Sequence, residues 1–165
     1  MSLHTGYSGR GTHYLHPGNI LADTKPKMVT TILGSCVSTC LWDPVLKIGG
    51  INHYLLPLWN GDGLATPRFG NIAIKRLVEK MERMGSDRRV LQAKVFGGSA
   101  INANPSGLLN VGERNIVVAK DVLAEEGIRI VSSDVGGAEG RRIVFNTATG
   151  VVKMRYIQKT RLQDK

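Results

Sequence analysis

Two side chains in this sequence are of the types that do nucleophilic chemistry together. Cys36 follows the small pair Gly34-Ser35, and His53 lies in the apolar run Gly49-Gly50-Ile51-Asn52-His53-Tyr54-Leu55. A thiol becomes an effective nucleophile when an imidazole takes its proton or stabilises its thiolate. Gly34 and Ser35 let the backbone leave strand geometry, so the thiol can turn into a cleft while backbone N–H groups face a developing oxyanion. They are therefore the candidate oxyanion and substrate residues. His4, His13 and His16 fall in the loose, polar N-terminal part, which leaves His53 alone inside a structured apolar segment. Two blander readings stand beside this one. His53 can be a hydrogen-bonded core histidine, since a buried imidazole costs free energy without a partner. Cys36, Cys40 and His53 can also be taken as metal ligands, but a structural zinc needs four ligands and a catalytic one needs three plus water. Cys40, mid-strand among Val37, Leu41 and Trp42, reads as a buried structural thiol. On one strand the two cysteines lie roughly 13 Å apart, beyond disulfide reach.

The elements that must position this pair are strands. Met28–Leu33 is apolar and β-branched, a buried strand broken by Gly34-Ser35. Val37–Trp42 resumes it, Asp43-Pro44 turns the chain, and Ile48–Leu56 returns as the second arm of a hairpin ended by Pro57. Before them, Tyr14–Ala22 holds a short strand interrupted by Pro17-Gly18, and Lys25-Pro26-Lys27 is a further turn. Residues 58–66 form a loop. Thr66 as N-cap and Pro67 at the first helical position then open a helix, whose stripe is Phe69, Ile72, Ala73, Leu77, Met81 and Met84, closed by Gly85. Val90–Phe96 alternates as a half-buried strand ended by Gly97-Gly98, residues 99–112 read as a loop, and Ile116–Glu126 is a second amphipathic helix. Ile128–Val131 is a strand, Asp134-Val135-Gly136-Gly137 a turn, and Arg142–Asn146 with Val151–Ile157 a terminal hairpin about Thr149-Gly150. The expected fold is α+β: mostly antiparallel strands in sheets, with two helices packed outside. Residues 1–13 read as disordered, 14–157 as one domain and 158–165 as a basic tail.

Composition narrows the partners. The chain of 165 residues is long enough for one domain with a real core, and no apolar run approaches the roughly 18 residues of a membrane span. The N-terminus lacks a secretory h-region, so the expected setting is cytoplasmic, with reduced thiols. A net charge of +9 allows nucleic acid, an anionic membrane or an acidic protein partner. The basic residues are scattered and aromatics are 5%, too few for a base-stacking platform, which weighs against nucleic acid.

Leu33-Gly34-Ser35-Cys36-Val37, Asp43-Pro44 and Gly49 to Pro57 closely resemble the chemoreceptor glutamine deamidase family, CheD. The resemblance continues through Lys94-Val95-Phe96-Gly97-Gly98, Gly112-Glu113-Arg114-Asn115, Asp134 to Arg141 and Thr149-Gly150, over roughly residues 15–157. It implies a cysteine hydrolase that converts selected glutamines of chemoreceptor cytoplasmic helices to glutamate, and that hydrolyses glutamyl methyl esters there. It implies methyl-accepting chemotaxis receptors as substrates, the CheY-phosphate phosphatase CheC as a partner of some members, and neither metal nor other cofactor. It implies a twisted β-sandwich flanked by helices, similar to the catalytic domain of the cytotoxic necrotizing factor toxins. Carried over by position, Cys36 is the nucleophile, His53 the base and Thr30, six residues before the cysteine, the third member. Six residues of straight strand span about 20 Å, so Thr30 is expected to act through His53 across neighbouring strands. Thr31, on the opposite side of the strand, competes for that place. The other reading is a chemotaxis adaptor that binds CheC or receptors with little turnover.

Overall fold

The computed structural model describes residues 12–100 and 109–157. The expected loop over residues 99–112 and the expected terminal segments therefore lie partly, and the basic tail wholly, outside the described residues. Nine strands form two sheets. The first holds β1 (Thr12–Tyr14), β3 (Met28–Leu33), β8 (Gly140–Asn146) and β9 (Val152–Ile157), in the order β1-β3-β8-β9. The second holds β2 (Ile20–Asp23), β4 (Val37–Asp43), β5 (Ile48–Asn52), β6 (Gln92–Gly97) and β7 (Arg129–Val135), in the order β2-β5-β4-β6-β7. Helices α1 (Gly70–Arg83) and α2 (Val111–Glu125) complete the described fold.

The strand period sorts side chains into two cores. On β4, Val37 and Leu41 join Ala73, Leu77, Met81, Ala119 and Leu123 in a core between the second sheet and the helices. Cys40, on the opposite face, joins Ile51 and Phe96 against Val29, Leu33, Ile143 and Phe145 of the first sheet. The layers run helices, five-stranded sheet, four-stranded sheet, and the outer face of the last is exposed. The chain crosses from one sheet to the other between Leu33 and Val37, so Gly34-Ser35-Cys36 is the link between them.

Several boundaries differ from the sequence reading. His13 lies in β1, paired with Val29, so ordered strand begins before residue 14. Two strand pairs are parallel, β1 with β3 and β6 with β7. The second pair follows from the order β6, α2, β7, since parallel neighbours need a crossover connection. Helix α1 starts at Gly70, not Pro67, because Arg68 and Phe69 are held in extended pairing: the Arg68 carbonyl accepts from the Leu55 and Leu56 N–H groups, and Leu56 bridges Phe69. Helix α2 starts five residues earlier than expected. Asn110 caps it through the Glu113 N–H, and the Glu113 side chain returns to the Asn110 N–H.

Candidate active site

The register sets the relation between the cysteine and the histidine. Val37 bridges Tyr54, and Cys40 pairs with Ile51, which places Ser38 opposite His53. Cys36 precedes Ser38 by two residues, so it is the diagonal neighbour of His53 on the face between the sheets, where it packs against the inner core. Diagonal neighbours sit about 7–8 Å apart, within side-chain reach.

His53 is 2% exposed. Its Nδ1 lies 2.8 Å from the Thr31 hydroxyl, and that hydroxyl donates to the Leu15 carbonyl at 2.7 Å. A hydroxyl has one proton. With that proton on Leu15, the Thr31 oxygen accepts from Nδ1–H, and the imidazole carries its lone pair on Nε2. Among the described residues Nε2 is buried with no hydrogen-bond partner. The segment that supplies Leu15 is clamped to the site, since the Gly18 N–H donates to the His53 carbonyl at 2.7 Å and the Leu15 N–H to the Thr30 carbonyl at 2.9 Å. Burial pushes the imidazole down to about 4, so it is neutral at pH 7. Burial also pushes the Cys36 thiol up, opposed by its own backbone N–H. Both shifts disfavour a thiolate–imidazolium ion pair and favour a thiol beside a neutral imidazole.

Position six before the cysteine does not meet the histidine. On β3, Val29, Thr31 and Leu33 are buried toward the other sheet, which turns Thr30 outward. The Thr30 hydroxyl donates instead to the Ile143 carbonyl at 2.9 Å. The hydroxyl that orients the imidazole is Thr31, and this corrects the expectation for Thr30.

The crossover is held by its carbonyls. Gly34 O accepts from Ser99 N–H at 2.9 Å and Cys36 O from Gly98 N–H at 2.8 Å. Ser35 O accepts from the Asn115 side-chain amide at 2.9 Å, and the same amide nitrogen donates to Leu55 O at 3.0 Å. Three carbonyls thus point into supporting elements. Among the described residues the Ser35 and Cys36 N–H groups donate to no oxygen, and the Cys36 N–H lies against its own sulfur. Gly97 is required where it stands: its φ is 109°, and a Cβ there would overlap the Cys36 carbonyl oxygen.

Beneath this loop lies a buried cation. Arg141 is 2% exposed and reaches Asp134 Oδ1 (2.8 Å), Ser99 Oγ (2.9 Å), Gly97 O (3.4 Å) and Gly136 O (2.8 Å). It ties Gly97–Ser99, on which the Cys36 crossover rests, to the Asp134–Gly137 turn. Asp134 itself closes β7 rather than opening a free turn.

Asn115 and Arg141 stood in the sequence within motifs of the family resemblance but with no role assigned, and Ser99 and the Leu15 carbonyl were missed. The inward parity of Arg141, two before Ile143 and four before Phe145, was the available signal for a buried arginine. Asn115 sits one turn inside a helix, and only its place in the motif Gly112-Glu113-Arg114-Asn115 marked it. Among the described residues no three His, Cys, Asp or Glu side chains gather as metal ligands would.

A neutral imidazole whose bare Nε2 shares a face with a thiol, next to unpaired backbone donors, has the parts needed for thiol-dependent acyl transfer. The comparisons narrow this. Residues 55–156 match the family CheD, described as "CheD chemotactic sensory transduction". A relative from Sulfurimonas denitrificans, named "Probable chemoreceptor glutamine deamidase CheD", is 49% identical over 148 residues, covering 89% of this chain and 95% of its own. One of the same name from Trichlorobacter lovleyi is 48% identical, covering 85% and 87%. The chain belongs to the CheD family. Among solved structures, Bacillus licheniformis hypothetical protein YfiH superposes with a TM-score of 0.48 at 16% identity, over 73% of this chain and 51% of that one.

Proposed function

We propose that this chain is a protein-glutamine deamidase acting on the cytoplasmic helices of methyl-accepting chemoreceptors, in the cytoplasm, as part of chemotactic adaptation. The observation that carries the mechanism is the relay Nδ1–H of His53 to Thr31 to Leu15, which leaves Nε2 bare on the face it shares with Cys36. Nε2 takes the thiol proton as sulfur attacks the glutamine carboxamide carbon. The oxyanion meets the Cys36 and Ser35 N–H groups. His53 then protonates the departing amide nitrogen, ammonia leaves, and a thioester remains. Water, losing its proton to Nε2, attacks the thioester. The thiol leaves with that proton, and glutamate is released. A glutamyl methyl ester would follow the same steps with methanol as leaving group. The likeness to the cytotoxic necrotizing factor catalytic domain belongs to this reading through the family resemblance alone. CheC belongs to this reading as a regulator through the family resemblance alone.

The test is ammonia release from a purified receptor cytoplasmic fragment, with mass spectrometry to locate the converted glutamines. Wild type is expected to release ammonia stoichiometrically with conversion, and Cys36→Ala to release none. Conversion that survives Cys36→Ala would refute the mechanism. A wild-type protein that binds several cognate receptors and converts none would favour the adaptor.

A further inference from the structure

Outward-facing residues of the four-stranded sheet form a basic surface with an aliphatic floor. Arg142 stands directly opposite Arg155, and Val144 opposite Lys153, on neighbouring strands. Like charges directly opposed on a sheet cost stability. Arg142, Lys153 and Arg155 are exposed, and among the described residues none has a carboxylate partner. The carboxylates that do form ion pairs hold Lys27, Arg88, Arg89 and Arg141 elsewhere. Ile32, paired with Arg142, is 43% exposed on the same face. A hollow of about 490 Å³ lies over Ile32, Arg142 and Arg155, and a second of about 320 Å³ continues over Val144 and Lys153.

The place of this surface gives it meaning. The row Ile32–Arg142–Arg155 is the last outward row before Leu33–Arg141–Tyr156, after which β3 becomes the Gly34-Ser35-Cys36 crossover. We propose that this face docks an acidic amphipathic helix, the segment of the substrate that presents its glutamine to Cys36. This rests on the deamidase reading and adds where the substrate lies. Directly opposed strand residues sit about 4.5–5.5 Å apart, and side chains four apart on a helix about 5–6 Å. One helix can therefore offer a carboxylate to each of Arg142 and Arg155. Three strands side by side span about 10 Å, the diameter of a helix. Ile32 and Val144 between the cations suit that helix's apolar stripe and have nothing to offer a sugar-phosphate chain.

The test compares wild type with Arg142→Glu/Arg155→Glu. The double reversal keeps like charges opposed, so the two proteins should melt alike. With a receptor fragment as substrate, KM is expected to rise at least tenfold with kcat at saturation retained, and the rise of KM with salt expected of wild type should be absent from the variant. An unchanged KM with an unchanged salt response overturns the proposal. Direct binding of a fluorescein-labelled receptor fragment, read by anisotropy, separates this from failure of the deamidase reading. Weakened binding by the variant upholds docking even if no ammonia is released, whereas equal binding overturns it. A labelled single-stranded oligonucleotide bound more tightly than the fragment, and lost in the variant, would assign the face to nucleic acid instead. Should the double variant fail to fold, Arg155→Glu, which creates a cross-strand Glu–Arg pair, gives the same readouts.

Discussion

The Thr31 hydroxyl stands between an imidazole that donates to it and a carbonyl that receives from it, so its removal strands both. Thr31→Val should cost about 2 kcal/mol of stability by orphaning Nδ1–H and the Leu15 carbonyl, and should lower kcat about a hundredfold by freeing the ring and its tautomer. Thr30→Val removes a single bond to Ile143 O and should cost about 1 kcal/mol with kcat unchanged. Urea midpoints and ammonia release on the pair of variants decide between the two threonines. The histidine also carries a pH signature. Its folded value of about 4 lies below the ordinary 6.5, so between those values the unfolded chain binds a proton that the native site refuses. Stability is then full above pH 6.5 and falls as pH drops toward 4, by roughly 3 kcal/mol. His53→Gln should lack that part of the acid slope in urea melts at pH 7 and pH 4.5. Cys36 and His53 stood out as a candidate pair from their types and flanks, and the register makes them diagonal neighbours on one face. The choice between Thr30 and Thr31 was not: Met28-Val-Thr-Thr-Ile-Leu33 has an apolar residue and a threonine on either parity, so only the partner strands decide which faces inward.

At the scale of elements, the geometry of the Cys36 crossover is borrowed. None of the three carbonyls at Gly34, Ser35 and Cys36 is satisfied within its own strand; their donors come from Ser99 and Gly98 after β6, and from Asn115 in the first turns of α2. Gly97→Ala should force the Cys36 carbonyl off Gly98, with a loss of about 3 kcal/mol and a fall in kcat exceeding any change in KM, measured by melting and by ammonia release. Element types were largely readable because β4, β5 and the α1 stripe follow strand and helix periods plainly. The boundaries were not. At α1, the Thr66-Pro67 signal lost to a tertiary pairing of Leu56 with Phe69. At α2, the glycine of Val111-Gly112 read as loop, although Asn110 and Glu113 stood at capping-box spacing. Gly112 is tolerated inside the helix because Ser99 and Gly98 press against it where a Cβ would be.

At the scale of the whole molecule, the two cores meet only across the second sheet, and the Cys36 crossover joins the layers they separate. Layering of this kind was legible as a class, sheets with helices outside. The pairing of β3 with β8 was not, because nothing local to either strand names a partner more than a hundred residues away. That pairing has a bearing on how the protein comes into being. A ribosome releases β3 and Cys36 well before the β8 strand that pairs beside β3. Until then one edge of β3 lacks its hydrogen-bonding neighbour, and Arg141, which secures the shelf beneath the cysteine, has not yet been made. The thiol emerges well before it acquires its surroundings. A growing chain therefore carries an ordinary cysteine, and the assembled site appears only as synthesis nears the last strands.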